Sequence, residues 1–281
     1  MSVILNESCF NEFLTLIHRL TGITIAKNRT SMIEGRLRKR VLALNLPSYE
    51  DYLKRVQSDR MEEAQFIDLV TTNETYFFRT PRVWDHLRND FLPAWFASHP
   101  GATLKAWSAA ASSGEEAHSL GVICQSFRDQ NSAFTYQIQG TDISGEMVDL
   151  CRKGEYSGRS LELFQRTQPE LFRRYMVQAS DAIFQVHPEI KKRLKFQTHN
   201  LFHSFSSPEK FDLILLRNVL IYFKTDDQEK VLSLLASKLS ANGILVIGES
   251  ESLAHIRVPY RHVEPLIYRL ATSDATAKKA A

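Results

Sequence analysis

Five short apolar runs rich in β-branched and aromatic residues, Thr103–Ser108, Phe134–Gly140, Leu194–His199, Phe211–Arg217 and Gly243–Gly248, follow one another down the second part of the chain. Helical patterns fit between most of them, notably Glu115–Arg128, Gly145–Lys153 and Asp226–Ser240. Strands separated by helices do not close as hairpins. Each crossover brings the chain back parallel to its predecessor, so the pattern demands an α/β fold, a doubly wound and mostly parallel sheet covered on both faces. In such a sheet ligands sit beyond the carboxyl ends of the strands, where loops turn back into helices. Polar clusters placed directly after strands are where chemistry is to be sought.

The N-terminal part obeys a different rule. Apolar residues recur there at three- and four-residue spacing without strand-like alternation, which predicts an all-helical domain over 1–75. The α/β domain then covers 76–271, with 72–90 as a linker and lid and 272–281 as a frayed tail. A segment over about 155–193 breaks the strand–helix rhythm. Its Phe/Arg/Tyr-rich helical stretch ends near Tyr175 and a hairpin runs through Met176 to Val186, which reads as an inserted β-subdomain.

Within the helical domain, Ser31 and Glu34 form a capping-box pattern, and the helix they would start runs toward Leu44 before Pro47 stops it. Ile33, Leu37, Val41 and Leu44 project onto one face, and Arg36, Lys39 and Arg40 onto the next. Lys27, Arg29 and Arg38 add to this positive charge, against Glu34 alone. Such a face is either simply solvated or a docking surface for an acidic partner.

Composition sets limits. An apolar share of 43% with 24% charged residues suits a chain with a substantial core. The longest apolar runs, such as Leu213–Leu216 and Ile244–Ile247, fall far short of the roughly 20 residues of a membrane span, and no cleavable signal opens the chain. A cytoplasmic protein without direct membrane insertion is expected. Cys9, Cys124 and Cys151 are odd in number and lack CxxC spacing, so neither disulfides nor a zinc site are expected. A net charge of +3 demands no nucleic-acid partner.

The post-strand clusters are more specific. After the first strand comes WSAAASSGEE, Trp107–Glu116, whose small residues allow close backbone approach and lead into a helix N-terminus. Glu115 and Glu116 would repel a pyrophosphate, and no GxGxxG or GxxxxGK[ST] pattern is present. A cation suits that place, although the pair is also what dipole compensation in a first helical turn would select. The second strand delivers Asp142, a partner for a ribose diol or a helix cap. The third delivers Asn200 and Leu201, suited to a purine edge and face, and the fourth Arg217 and Asn218, with Tyr222 and Phe223 following. Between the domains lies TTNETYFFR, Thr71–Arg79, too polar for plain core. An adenosine-bearing ligand with no phosphate and with positive charge near the first helix is S-adenosylmethionine, and the reaction is methyl transfer.

TTNETYFFR, WSAAASSGEEAHSLG, GTDIS, the Gly154-Glu155-Tyr156 triplet, HNLF, FDLILLRNVLIYF and GILVIGESESL together resemble the CheR-type methyltransferases, which modify glutamates on bacterial chemotaxis receptors. The resemblance spans nearly the whole chain. It implies a Rossmann-like methyltransferase domain with an N-terminal helical domain and a β-subdomain, turning S-adenosylmethionine into S-adenosylhomocysteine as receptor glutamates become methyl esters. It further implies that Asn73, Thr75 and Arg79 reach over the cofactor, and that Glu115 or Glu116 lies near its amino group. Asp142 would meet the ribose, Asn200 and Leu201 the adenine, and Arg217 and Asn218 the opposite wall. Arg79 and Tyr222 would border the transferred methyl and orient the incoming carboxylate. The partner would be the cytoplasmic helices of methyl-accepting receptors, docked on Arg36, Lys39 and Arg40 by a monomeric enzyme, with no nucleic acid involved. One stretch departs from the family pattern: Tyr175–Ile183 is short and lacks glycine where some members clamp a receptor C-terminal peptide, so independence of that tether is expected. A methyltransferase of nucleic acid or small molecules, and a silent cofactor-binding signalling module, are the competing readings; no aromatic platform for bases stands beside the basic helix.

Overall fold

A computed structural model describes residues 5–25 and 30–271. Lys27 and Arg29, and the expected tail over 272–281, lie outside the described residues.

The helical domain holds α1 (Glu7–Thr21), α2 (Thr30–Ala43), α3 (Tyr49–Ser58) and α4 (Arg60–Val70). Local chemistry sets most of these ends. Asn6 caps α1 by accepting the Cys9 N–H, and Gly22 at φ +72° ends it. Asp59 closes α3 with its own N–H and opens α4 by accepting from Met61 and Glu62. The α2 helix already includes Thr30, so Ser31 lies inside it rather than capping it. Ile33, Leu37 and Val41 are fully buried against Phe13, Ile17 and Tyr52, as their spacing predicts.

The second domain opens with α5 (Pro81–His86), which passes through one π-helical turn, Leu87–Phe91, into α6 (Leu92–Ser98). Helix therefore occupies the second half of the expected linker. There follow β1 (Thr103–Ser108), α7 (Glu115–Gln130), β2 (Thr135–Asp142) and α8 (Gly145–Lys153). The insertion comprises β3 (Glu155–Tyr156), α9 (Gly158–Thr167), α10 (Pro169–Tyr175), β4 (Met176–Ser180) and β5 (Ile183–Val186). After α11 (Pro188–Lys191) come β6 (Leu194–Thr198), β7 (Phe211–Leu216), α12 (Thr225–Ala236), β8 (Leu239–Ile247), β9 (Tyr260–Glu264) and β10 (Ile267–Leu270).

Seven strands form one sheet in the order β6-β2-β1-β7-β8-β10-β9. The pairs β1–β2, β1–β7, β2–β6 and β7–β8 are parallel, and β10 runs antiparallel to β8 and β9. Leu213–Leu216 and Leu245–Ile247 are fully buried, the unbroken apolar run that a sheet covered on both faces requires. The insertion carries its own sheet, ordered β3-β5-β4.

Two differences from the sequence reading have local causes. The last crossover helix stops at Ala236, short of Ser240, because β8 begins at Leu239 and pairs with Phe211 before a bulge. The hairpin of β9 and β10 was not anticipated: β9 is an edge strand, largely exposed, with no apolar alternation to betray it.

The domains meet through specific bonds. Asn200 Nδ2 donates to the Leu20 carbonyl at 2.8 Å, and the Thr24 N–H donates to the Tyr222 carbonyl at 2.9 Å. His18 Nε2 lies 2.9 Å from Asp227 Oδ2. Phe202 packs so tightly on Gly22 that a Cβ there would fall 2.0 Å from the ring.

Candidate active site

β1 and β7 are sheet neighbours, yet the chain visits β2 and β6 on one side before crossing to β7 on the other. Loops leaving their carboxyl ends therefore diverge and leave a crevice. A cavity of about 380 Å³ opens there, walled by both domains.

Its floor is a buried ion pair. Glu116, in the first turn of α7, accepts from Ser108 Oγ at 2.8 Å and from Arg217 Nη1 at 3.0 Å. Arg217 leaves β7 with its side chain 2% exposed, and its Nη2 donates to the Arg79 carbonyl at 2.7 Å. Trp84 Nε1 donates to that same carbonyl at 2.8 Å. The lid backbone is thus tied to the cavity floor at the residue expected to meet substrate. Phe78 and Thr80, on either side, adopt φ of +55° and +63°, a contortion the surrounding bonds must hold. Phe77 and Phe78 are buried against Phe164, Tyr156 and Trp84, whereas Tyr76 is 40% exposed. Arg79 lines the cavity, with Nη1 donating to the Glu74 carbonyl at 3.2 Å and its guanidinium over the Tyr76 ring.

The two adjacent glutamates separate cleanly. Glu116 lines the cavity; Glu115 turns to Ser113 Oγ, 2.6 Å away, and burial pushes its carboxyl above the usual range. The Gly154-Glu155-Tyr156 motif serves the same loop, since the Tyr156 hydroxyl donates to the Ser113 carbonyl at 2.9 Å.

Asp142 stands at the end of β2, 7% exposed, and accepts backbone N–H from Ser112 at 2.8 Å and Ser144 at 3.0 Å. Burial pushes its carboxyl up, and those amides oppose the shift. Capping of α8 falls to Ser144, which accepts from Met147, so Asp142 is left to the cavity wall. Ser112, at φ +49°, also donates from Oγ to the Asn73 carbonyl at 3.0 Å and so draws the lid onto the cofactor loop.

Asn73, Thr75, Leu201, Asn218 and Tyr222 all line the cavity. Asn200 does too, but both ends of its amide are engaged: Nδ2 with Leu20, and Oδ1 with the Phe202 N–H at 3.0 Å. A side chain expected to read a purine edge also joins the domains.

The basic residues of α2 expected to dock a partner are not engaged alike. Arg36 Nη1 donates to the Leu69 and Thr71 carbonyls at 2.9 and 2.8 Å, closing the end of α4. Arg40 forms a two-pronged bond to Glu62, 2.8 and 2.7 Å, and Glu62 is 5% exposed. Both arginines hold the helical domain together. Lys39 and Arg38 are the exposed cations of α2 among the described residues.

Sequence reasoning missed four residues: Ile23 and Thr24, which bring the helical domain into the cavity wall; His199, beside Asn200; and Glu251, which orders the Asn218 loop from behind. Glu251 lay within reach, because the polar run GESES follows the fifth strand just as the other clusters follow theirs. Nothing local marks Ile23.

Buried carboxylates in the wall, a guanidinium at the lid and no phosphate cradle make a donor set that fits a zwitterionic, phosphate-free adenosine ligand, and with this sheet they define an S-adenosylmethionine-dependent methyltransferase. The family model "CheR methyltransferase, SAM binding domain" matches residues 73–267 and "CheR methyltransferase, all-alpha domain" matches 9–71. This chain belongs to the CheR methyltransferase family. Curated relatives include chemotaxis protein methyltransferase Cher2 of Pseudomonas putida, 32% identical over 91% of this chain and 94% of its own. Chemotaxis protein methyltransferase 1 of Vibrio cholerae is 32% identical over 96% of this chain and 99% of its own. No helix among the described residues is long and apolar enough to cross a membrane.

Proposed function

We propose that this enzyme methylates glutamate side chains on the cytoplasmic helices of bacterial chemotaxis receptors, acting as a cytoplasmic monomer and giving methyl esters. The observation that carries the reading is the position of Arg79: a cavity-lining arginine in a segment whose backbone is tied to the buried Glu116–Arg217 pair. When bound, S-adenosylmethionine supplies an electrophilic methyl group. Glu116 and Asp142 would hold the cofactor's positive and ribose ends, Leu201 would meet its base, and Asn73, Thr75 and Asn218 would complete the wall around it.

A glutamate acceptor with a pKa of about 4.3 is already ionised at neutral pH, so no general base is required. Alignment remains. Placing the acceptor oxygen in line with the bond to be broken can supply about 7–11 kcal/mol of the barrier. Arg79 draws the carboxylate in by charge and, with Tyr222, orients it toward the methyl group. One Arg79 donor is already spent on Glu74, which keeps the grip on the acceptor loose enough to preserve its nucleophilicity.

Independence of a receptor tail peptide is supported by the hairpin, where Asp181 and Ala182 alone separate β4 from β5. Docking then rests on Lys39 and Arg38, whose exposure leaves them available to acidic helices. Incubation with tritiated S-adenosylmethionine and purified receptor cytoplasmic fragments should label the fragments, and removal of the tail peptide should leave labelling intact. Label on RNA or small molecules in place of receptor contradicts the assignment.

A further inference from the structure

We propose that Glu251 is a positioning residue for methyl transfer, holding the Asn218–Tyr222 loop in its working geometry. This rests on methyl transfer being the reaction of the site. Glu251 does not line the cavity; it acts from behind the wall. Its side chain accepts four backbone N–H groups: Oε2 from Gly248 at 2.6 Å and Asn218 at 3.0 Å, Oε1 from Val219 at 2.8 Å and Leu220 at 2.7 Å.

Three successive amides aimed at one carboxylate make an anion nest, built here on Asn218 at φ +59°. Leu220–Tyr222 is a single 3₁₀ turn that starts from this nest and delivers Tyr222 to the cavity. Its far end is held by Gln228, whose Nε2 donates to the Leu220 and Phe223 carbonyls at 2.9 and 3.0 Å. Gly248 makes the close approach possible, because a Cβ there would lie 2.7 Å from the Asn218 nitrogen and 2.8 Å from Glu251 Oε2. The bonds are specific to a carboxylate. A glutamine has one acceptor oxygen and would turn an N–H₂ group toward amides that also donate.

The test pairs Glu251→Gln with Glu251→Asp, one methylene shorter. Turnover is normalised to S-adenosylhomocysteine sites counted by calorimetry, and amide exchange is followed in the cofactor-free proteins. For Glu251→Gln, kcat per site should fall at least about tenfold with the receptor KM within about twofold, a loss of transition-state geometry rather than of binding. Exchange over 218–222 should quicken while β7 keeps its protection. The aspartate variant should lie between, and it carries the same readouts if the glutamine variant does not fold. Wild-type kcat per site, or unchanged exchange over 218–222, overturns the proposal. If the wild-type enzyme methylates no receptor, the proposed function fails and the exchange measurement alone decides the role of Glu251.

Discussion

Arg79 and Arg217 show how two arginines in one cavity can be engaged differently. Arg217 is sealed against Glu116 and spends its second amino group on the Arg79 carbonyl. Arg79 is the less buried of the two and lines the same cavity, and the proposed function gives it the acceptor carboxylate. Arg79→Ala is expected to lower kcat about 100-fold, about 2.7 kcal/mol of barrier, while S-adenosylhomocysteine affinity moves less than about threefold. Calorimetry beside steady-state kinetics checks the split, and equal losses in both would assign Arg79 to the cofactor. Asp142 yields a pH prediction. Burial raises its carboxyl pKa, and a ribose diol bonds best to the ionised form, so protons compete with ligand as pH falls through that raised value. Affinity for S-adenosylhomocysteine should therefore decline on acidification before the ordinary carboxylate range, about pH 4, is reached. Asp142→Asn should flatten the profile.

At the scale of elements, α2 separates what sequence carries from what only packing reveals. Its apolar stripe was legible, since Ile33, Leu37 and Val41 must share a face in any helix. The fate of its basic stripe was not, because a helical projection does not tell whether a guanidinium faces water or the carboxylate of the next helix. Arg40 found Glu62, and Arg36 found the end of α4. Charge reversal at Arg40 would oppose two carboxylates and should lower Tm by at least about 4 °C, given about 2–4 °C per kcal/mol in domains of this size. Charge reversal at Arg38 and Lys39 should leave Tm unchanged and raise the receptor KM, with the difference shrinking as salt rises. Thermal melts and KM values at two salt concentrations distinguish the pairs. Strand β1 and helix α8 match the sequence reading to the residue, because turn signals bound them. The end of α12 was misplaced because Leu239 fits a helical stripe as readily as a strand.

For the whole molecule, the mostly parallel sheet and the place of the cavity beyond its strand ends followed from alternation alone, whereas the strand order and the part each domain plays in the cavity wall did not. Ile23 and Thr24 lie in the short segment after α1, and interdomain contacts such as the bonds from Asn200 to Leu20 and from Thr24 to Tyr222 bring them to the cavity wall. The helical domain therefore forms part of the cavity wall. Of the adjacent Glu115 and Glu116, the helix start allows either to face the cavity, and packing within the second domain leaves Glu116 on its lining, paired with Arg217. The central claim is that the methyl group passes to a carboxylate oxygen. Receptor fragments labelled with tritiated methyl groups should release volatile tritiated methanol on mild alkali, in amounts equal to the label incorporated. Label that stays on the protein through alkali would place the methyl on nitrogen or sulfur and contradict ester formation.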